Sequence, residues 1–135
     1  YIQHRGGKQG FLHVLDERTL GFADYRGNRQ LLSTGNLSGD GRVALFLMDY
    51  AARTRLKIQG RARVLDAREH PKELERLAEP DIRRQVERLF LIDVVGFDWN
   101  CPQHITPRYA AEEVREIVAP LQQRIAELEA RLRER

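Results

Sequence analysis

Residues 54–66 read TRLKIQGRARVLD, and within them Leu56, Ile58, Ala62 and Val64 alternate with Arg55, Lys57, Arg61 and Arg63. A period of two sends successive side chains to opposite faces of a strand. The segment therefore predicts a β-strand with one apolar face for a core and one basic face. Residues 42–50 (RVALFLMDY) predict its partner, joined to it by a tight polar turn near Ala51-Ala52-Arg53.

Segments 1–5, 11–15 and 19–24 are short, rich in Ile, Leu, Val, Phe and Tyr, and punctuated by Gly6-Gly7, Gly10 and Asp16-Glu17-Arg18. They predict further antiparallel strands with short connections. Residues 86–97 (VERLFLIDVVGF) predict a long strand whose apolar centre is too continuous for a solvent-facing edge. Strands adjacent in sequence, short helices between them and no βαβ alternation predict a small β-barrel with α additions. Closure would remove the exposed edges that make short strands prone to aggregate.

Three helices are expected. Residues 28–40 carry Leu31, Leu32 and Leu37 with Gly35 and Gly39, predicting a short helix followed by a loop. Residues 69–79 place Leu74 and Leu77 at helical spacing, with Pro71 in a first turn that tolerates its missing N–H. In the tail, Val114, Val118, Leu121, Ile125, Leu128 and Leu132 step by four and three, the heptad rule for a helical seam. Pro120 is expected to kink or restart that helix. The seam has two readings, packing on its own barrel or against a partner helix.

The chain has 135 residues, within the range of one domain, and its 41% hydrophobic content suffices for a core despite 32% charged residues. Its net charge of +3 is unevenly spread: residues 1–63 hold 11 Lys and Arg against 5 Asp and Glu, and the remainder 12 against 15. The front half is thus where an anion site is expected. A single cysteine, Cys101, excludes an internal disulfide, and no apolar run suits a signal peptide or a membrane span. A cytoplasmic protein without membrane or nucleic-acid partners is expected, since no nucleic-acid reader motif accompanies the basic face of residues 54–66. The chain opens at Tyr1 in a strand-like segment, so residues are expected to precede it.

Three stretches carry candidate chemistry. Asp24 to Gln30 read DYRGNRQ between a predicted strand and a predicted helix. Arg26 and Arg29 could give forked hydrogen bonds to a phosphate, and Asn28 could cap the helix. An ordinary charged surface turn is the competing reading. Gln3-His4-Arg5-Gly6-Gly7 joins polar side chains to two residues that permit close backbone approach, so either a ligand lies against it or it is a simple hairpin turn. Its glycines match neither the GxGxxG nor the Walker pattern. Phe97 to His104 (FDWNCPQH) hold the single Trp and Cys; Trp99 beside Gln103 and His104 suits a flat, heteroatom-rich ring. Cys101 and His104 lack the further ligands a zinc site needs, and neither a haem-attachment motif nor a nucleophile elbow occurs.

Taken in order, YIQHRGG, FADYRGNRQ, RVALFLMDY, RLKIQGRARV and WNCPQHITPRY resemble one branch of the pyridoxamine 5′-phosphate oxidase-like FMN-binding proteins. The resemblance covers residues 1–109 as a split-barrel domain and leaves residues 110–135 as a C-terminal amphipathic helix. It implies a six-stranded antiparallel split barrel and a homodimer with FMN at the subunit interface. It also implies an FMN-dependent oxidoreductase acting on a small redox substrate; a non-catalytic flavin- or haem-binding module on the same barrel is the alternative. By the same resemblance Arg5, Arg29 and Gln30, with Asn28 and Tyr25 alongside, hold the flavin phosphate. Gln30 stands where the family oxidase often has Lys. The substrate-holding Arg and His segment of the oxidase proper is not found, so pyridoxamine 5′-phosphate oxidation itself is not the expected activity. Gln3, His4, Arg55, Trp99 and Gln103 complete the candidate cofactor site.

Overall fold

The computed structural model describes residues 1–27, 31–99 and 103–133. The chain forms two compact units, one of Tyr1–Leu47 with Leu56–Trp99, the other of Met48–Arg55 with Asn100–Arg135. Five strands, β1 (His13–Val14), β2 (Thr19–Tyr25), β3 (Arg42–Asp49), β4 (Thr54–Asp66) and β5 (Val86–Trp99), make an antiparallel sheet in the order β1-β2-β5-β4-β3.

β5 is central, with β2 and β4 on its two sides, and both of its faces are covered along its first half. Leu89 and Leu91 join Ala23, Ala67 and Leu77 on one face; Phe90 and Ile92 join Phe22 and Ala62 on the other. The rings of Phe22 and Phe90 stack with centroids 4.8 Å apart. This double burial explains the continuous apolar run LFLI, because a strand covered on one face only would alternate. Helix α2 (Pro71–Leu77) covers the first cluster through Leu74 and Leu77, with Pro71 in its opening turn, and α1 (Leu32–Gly39) brings Leu37 to the second.

The alternation in β4 appears as expected: Ile58 and Ala62 are buried while Lys57, Arg61 and Arg63 are exposed. The register shifts between Gln59 and Gly60, opposite Gly96 and Val94, leaving Val95 as the extra residue of a bulge. Gly60 permits this, since a Cβ there would lie 2.8 Å from the Asp93 carbonyl oxygen.

Several expectations are corrected. Residues 1–5 form no strand: Tyr1 and Ile2 stand 83% and 97% exposed, and the segment is held by side chains instead of a backbone ladder. The strand expected at 11–15 shrinks to His13–Val14, because the chain turns at once into Asp16-Glu17-Arg18, where the Asp16 carboxylate accepts the Arg18 N–H. The described residues thus hold five strands, not six, and their order leaves β1 and β3 as ends without closure. The N-cap position of α1 is Leu31, with no side-chain cap, and Asn28 lies outside the described residues.

In the second unit, α3 (Ala111–Arg133) runs as one helix with Pro120 inside it, not restarted by it. The Ala110 N–H donates to the Glu113 carboxylate at 2.6 Å, satisfying an otherwise orphaned donor at the helix start. Glu112 and Glu113 in the first turn and Arg131 and Arg133 in the last complement the helix dipole. Also in this unit the Arg108 guanidinium lies 5.2 Å over the Tyr50 ring. Among the described residues no helix is long and apolar enough to cross a membrane.

Candidate functional site

The N-terminal segment, the end of β2, the start of β5 and α1 together surround a cavity of about 350 Å³ in the first unit. Its lining is strongly polar, and two arginines reach it, Arg5 from the N-terminal segment and Arg88 from β5. Each is fixed by its neighbours.

Arg5 Nη2 donates to Gln3 Oε1 at 2.8 Å and to Ser33 Oγ at 3.3 Å, and the Ser33 hydroxyl donates to the same Gln3 oxygen. The Arg5 guanidinium also lies 5.9 Å over the Phe90 ring, so one face of the fork rests on the core. Arg88 stands directly opposite Asp24 in the β2–β5 ladder and donates from Nε to Asp24 Oδ2 at 2.9 Å, while its Nη1 lies 3.4 Å from Glu87 Oε2. A second register shift, between Asp24 and Tyr25, occurs at this point, where bulges commonly re-aim side chains. The cavity is thus lined by the oriented arginines Arg5 and Arg88, by Asp24, which pairs with Arg88, and by Tyr1, Tyr25 and His4. Such a set can hold an anionic group by forked hydrogen bonds and an aromatic ring by contact.

Of the candidate residues, the fold brings Gln3, His4, Arg5 and Tyr25 to this one cavity. Asn28, Arg29 and Gln30 lie outside the described residues, although Gly27 before them reaches the cavity. Trp99 does not line it; it ends β5 opposite Leu56 and is 61% exposed. Arg55 and Gln103 belong to the second unit, Gln103 exposed in a turn and Arg55 half-buried, with its Nε buried and lacking a hydrogen-bond partner among the described residues. A buried donor left unpaired costs stability unless an acceptor arrives from elsewhere.

Sequence reasoning missed Arg88, Asp24 and Ser33. The available signal for Arg88 was a charge directly before the apolar run LFLI, but its partner Asp24 is 64 residues away and only strand pairing joins them. The family model of pyridoxamine 5′-phosphate oxidase matches residues 5–97, well over half of the chain. No curated protein matches it.

Proposed function

Because this chain belongs to the pyridoxamine 5′-phosphate oxidase family, a family commonly flavin-binding, we propose that it is an FMN-dependent oxidoreductase. Its cofactor would be held in the cavity of Gln3, His4, Arg5 and Tyr25. The observation that carries this reading is the paired guanidinium arrangement: Arg5, locked by Gln3 and Ser33, and Arg88, locked by Asp24, line one polar cavity. That donor set fits a phosphate monoester, and the volume is in the range of small-molecule sites. FMN supplies two-electron transfer when bound; the chain supplies position, charge and exclusion of water. No side chain need act as a nucleophile, and the substrate is a small redox-active molecule other than pyridoxamine 5′-phosphate.

Arg29 and Gln30 extend the phosphate cradle in this proposal. The protein acts in the cytoplasm as a homodimer with the flavin at the subunit interface, to which Trp99 and Gln103 contribute edge and stacking contacts and Arg55 its unpaired Nε. Supporting the dimer, Val95, Phe97 and Trp99 occupy alternate positions of β5 and are 67%, 67% and 61% exposed. An apolar row of this kind is costly to leave in water and typical of a surface that a partner covers.

The test is to purify the chain, record its visible spectrum and titrate it with FMN. Retained flavin bands, or quenching of FMN fluorescence with saturation, are expected; saturating FMN without any change in fluorescence overturns the reading. A ligand that binds only the dimer stabilises association by about 2.7 kcal/mol at a hundredfold excess over its dissociation constant, so dilution should release flavin. Reduction of the bound flavin by a nicotinamide nucleotide separates an enzyme from a module that holds oxidised flavin inertly.

A further inference from the structure

The tail helix presents an apolar stripe that nothing in the flavin site uses. Val114, Leu121, Ile125, Leu128 and Leu132 are 45%, 60%, 56%, 42% and 68% exposed, and all lie on one face of α3 with the half-buried Val118. Six apolar positions aligned at heptad spacing across a 23-residue helix are an unfilled seam.

The seam's composition identifies its occupant. Counted as heptads, Val118, Ile125 and Leu132 fall at position a, and Val114, Leu121 and Leu128 at position d. β-Branched Val118 and Ile125 at a with Leu121 and Leu128 at d favour two parallel strands over three or four, while Val114 at d and Leu132 at a depart from that pattern at the two ends. The flanks agree: Arg124 falls at g and Glu129 at the following e, the two positions that meet across a parallel pair. Symmetry makes that attraction occur twice. Within one helix these side chains make only exposed contacts, Arg124 with Glu127 at 3.2 Å and Glu129 with Arg133 at 3.9 Å, which leaves both free to re-pair at little cost. Pro120 falls at c, outside the seam, where its ring meets no partner helix.

We propose that α3 pairs in parallel and in register with α3 of a second copy of this chain, forming a two-stranded coiled coil from Val114 to Leu132. This goes beyond the flavin reading and needs none of its residues. Three heptads make a short coil, so its contribution depends on the rest of the chain raising the local concentration of the two tails.

The experiment places single cysteines at the two ends of the seam, Val114→Cys and Leu132→Cys, each in the full-length chain carrying Cys101→Ser. Under mild oxidation each variant should cross-link to itself, and mixing the two should add no preferred 114-to-132 product. In an antiparallel pair those positions lie opposite each other, since a residue and its own copy would be roughly 27 Å apart at 1.5 Å per residue. Cross-linking only in the mixture therefore overturns the parallel coil. Absence of cross-linking in a chain that still sediments as a dimer also overturns it, leaving the stripe to another surface or another protein. As a second measurement, Arg124→Glu should raise the dimer dissociation constant roughly tenfold, and adding Glu129→Arg should restore it; no rescue counts against the proposal. Flavin retention read on the same samples separates the two ideas, because each can fail while the other stands.

Discussion

Asp24 and Arg88 face each other across the β2–β5 ladder, and their side chains close a 2.9 Å ion pair beside the candidate cavity with only 21% and 19% of each exposed. Removing the carboxylate leaves a largely desolvated guanidinium short of an acceptor. Asp24→Ala is expected to cost about 1–3 kcal/mol, read as a lower urea midpoint with unchanged slope. Lys57 and Asp98 make an equally short pair at 2.8 Å but are 48% and 66% exposed, so Lys57→Ala should cost under about 1 kcal/mol. Equal losses at the two sites would mean that burial does not set their difference.

Gly60 tests the bulge between β4 and β5. An added Cβ would meet the Asp93 carbonyl oxygen and Ile92 Cγ2, both at 2.8 Å, and the backbone atom cannot swing aside. Gly60→Ala is expected to destabilise by about 1–3 kcal/mol. Gly96→Ala, where nothing lies within 4 Å, should be far milder in the same thermal melts.

Two aspartates, the exposed Asp40 and the half-buried Asp66, predict an acid-side dependence. Hydrogen bonds from the Arg42 side chain and backbone hold Asp40 at about 2, and those from Arg68 hold Asp66 at about 2, both below the ordinary 3.8. Between those values the unfolded chain binds more protons than the folded one, so stability rises with pH across that window. The contribution is complete above about pH 3.8 and is lost as pH falls through about 2. Carboxyl NMR titrations should show both depressed midpoints, and Arg68→Ala should move Asp66 back toward the ordinary value while leaving Asp40 unchanged.

Arg5 carries the ligand prediction. Arg5→Ala should weaken FMN binding by about tenfold or more, the usual loss for a charge-assisted hydrogen bond of roughly 1.5–3 kcal/mol. Arg5→Lys should recover only part of this, because an ammonium cannot reproduce the fork that Gln3 and Ser33 orient. Fluorescence titration of both variants at fixed ionic strength gives the comparison.

What the sequence determined by itself is the set of elements whose signal is local. The alternation of 54–66, the continuous apolar run of 86–97, Pro71 at a helix start and the heptads of the tail each report a repeated environment along one stretch of chain. Each reappears, as β4, β5, α2 and α3. The polar side chains of Gln3, His4, Arg5 and Tyr25 were equally legible as chemistry, though not as neighbours.

Only the tertiary structure decided what lies between elements. That residues 1–5 are no strand follows from the absence of a partner ladder and from Arg5 reaching Ser33, 28 residues on. That Arg88 is a site residue follows from the register that sets it against Asp24, and the Gln59–Gly60 register shift follows from how closely β4 approaches β5. Hydrophobic periodicity records whether a residue is buried and on which face. It carries no record of which distant residue does the burying, because apolar burial is non-directional while hydrogen-bond pairing is specific.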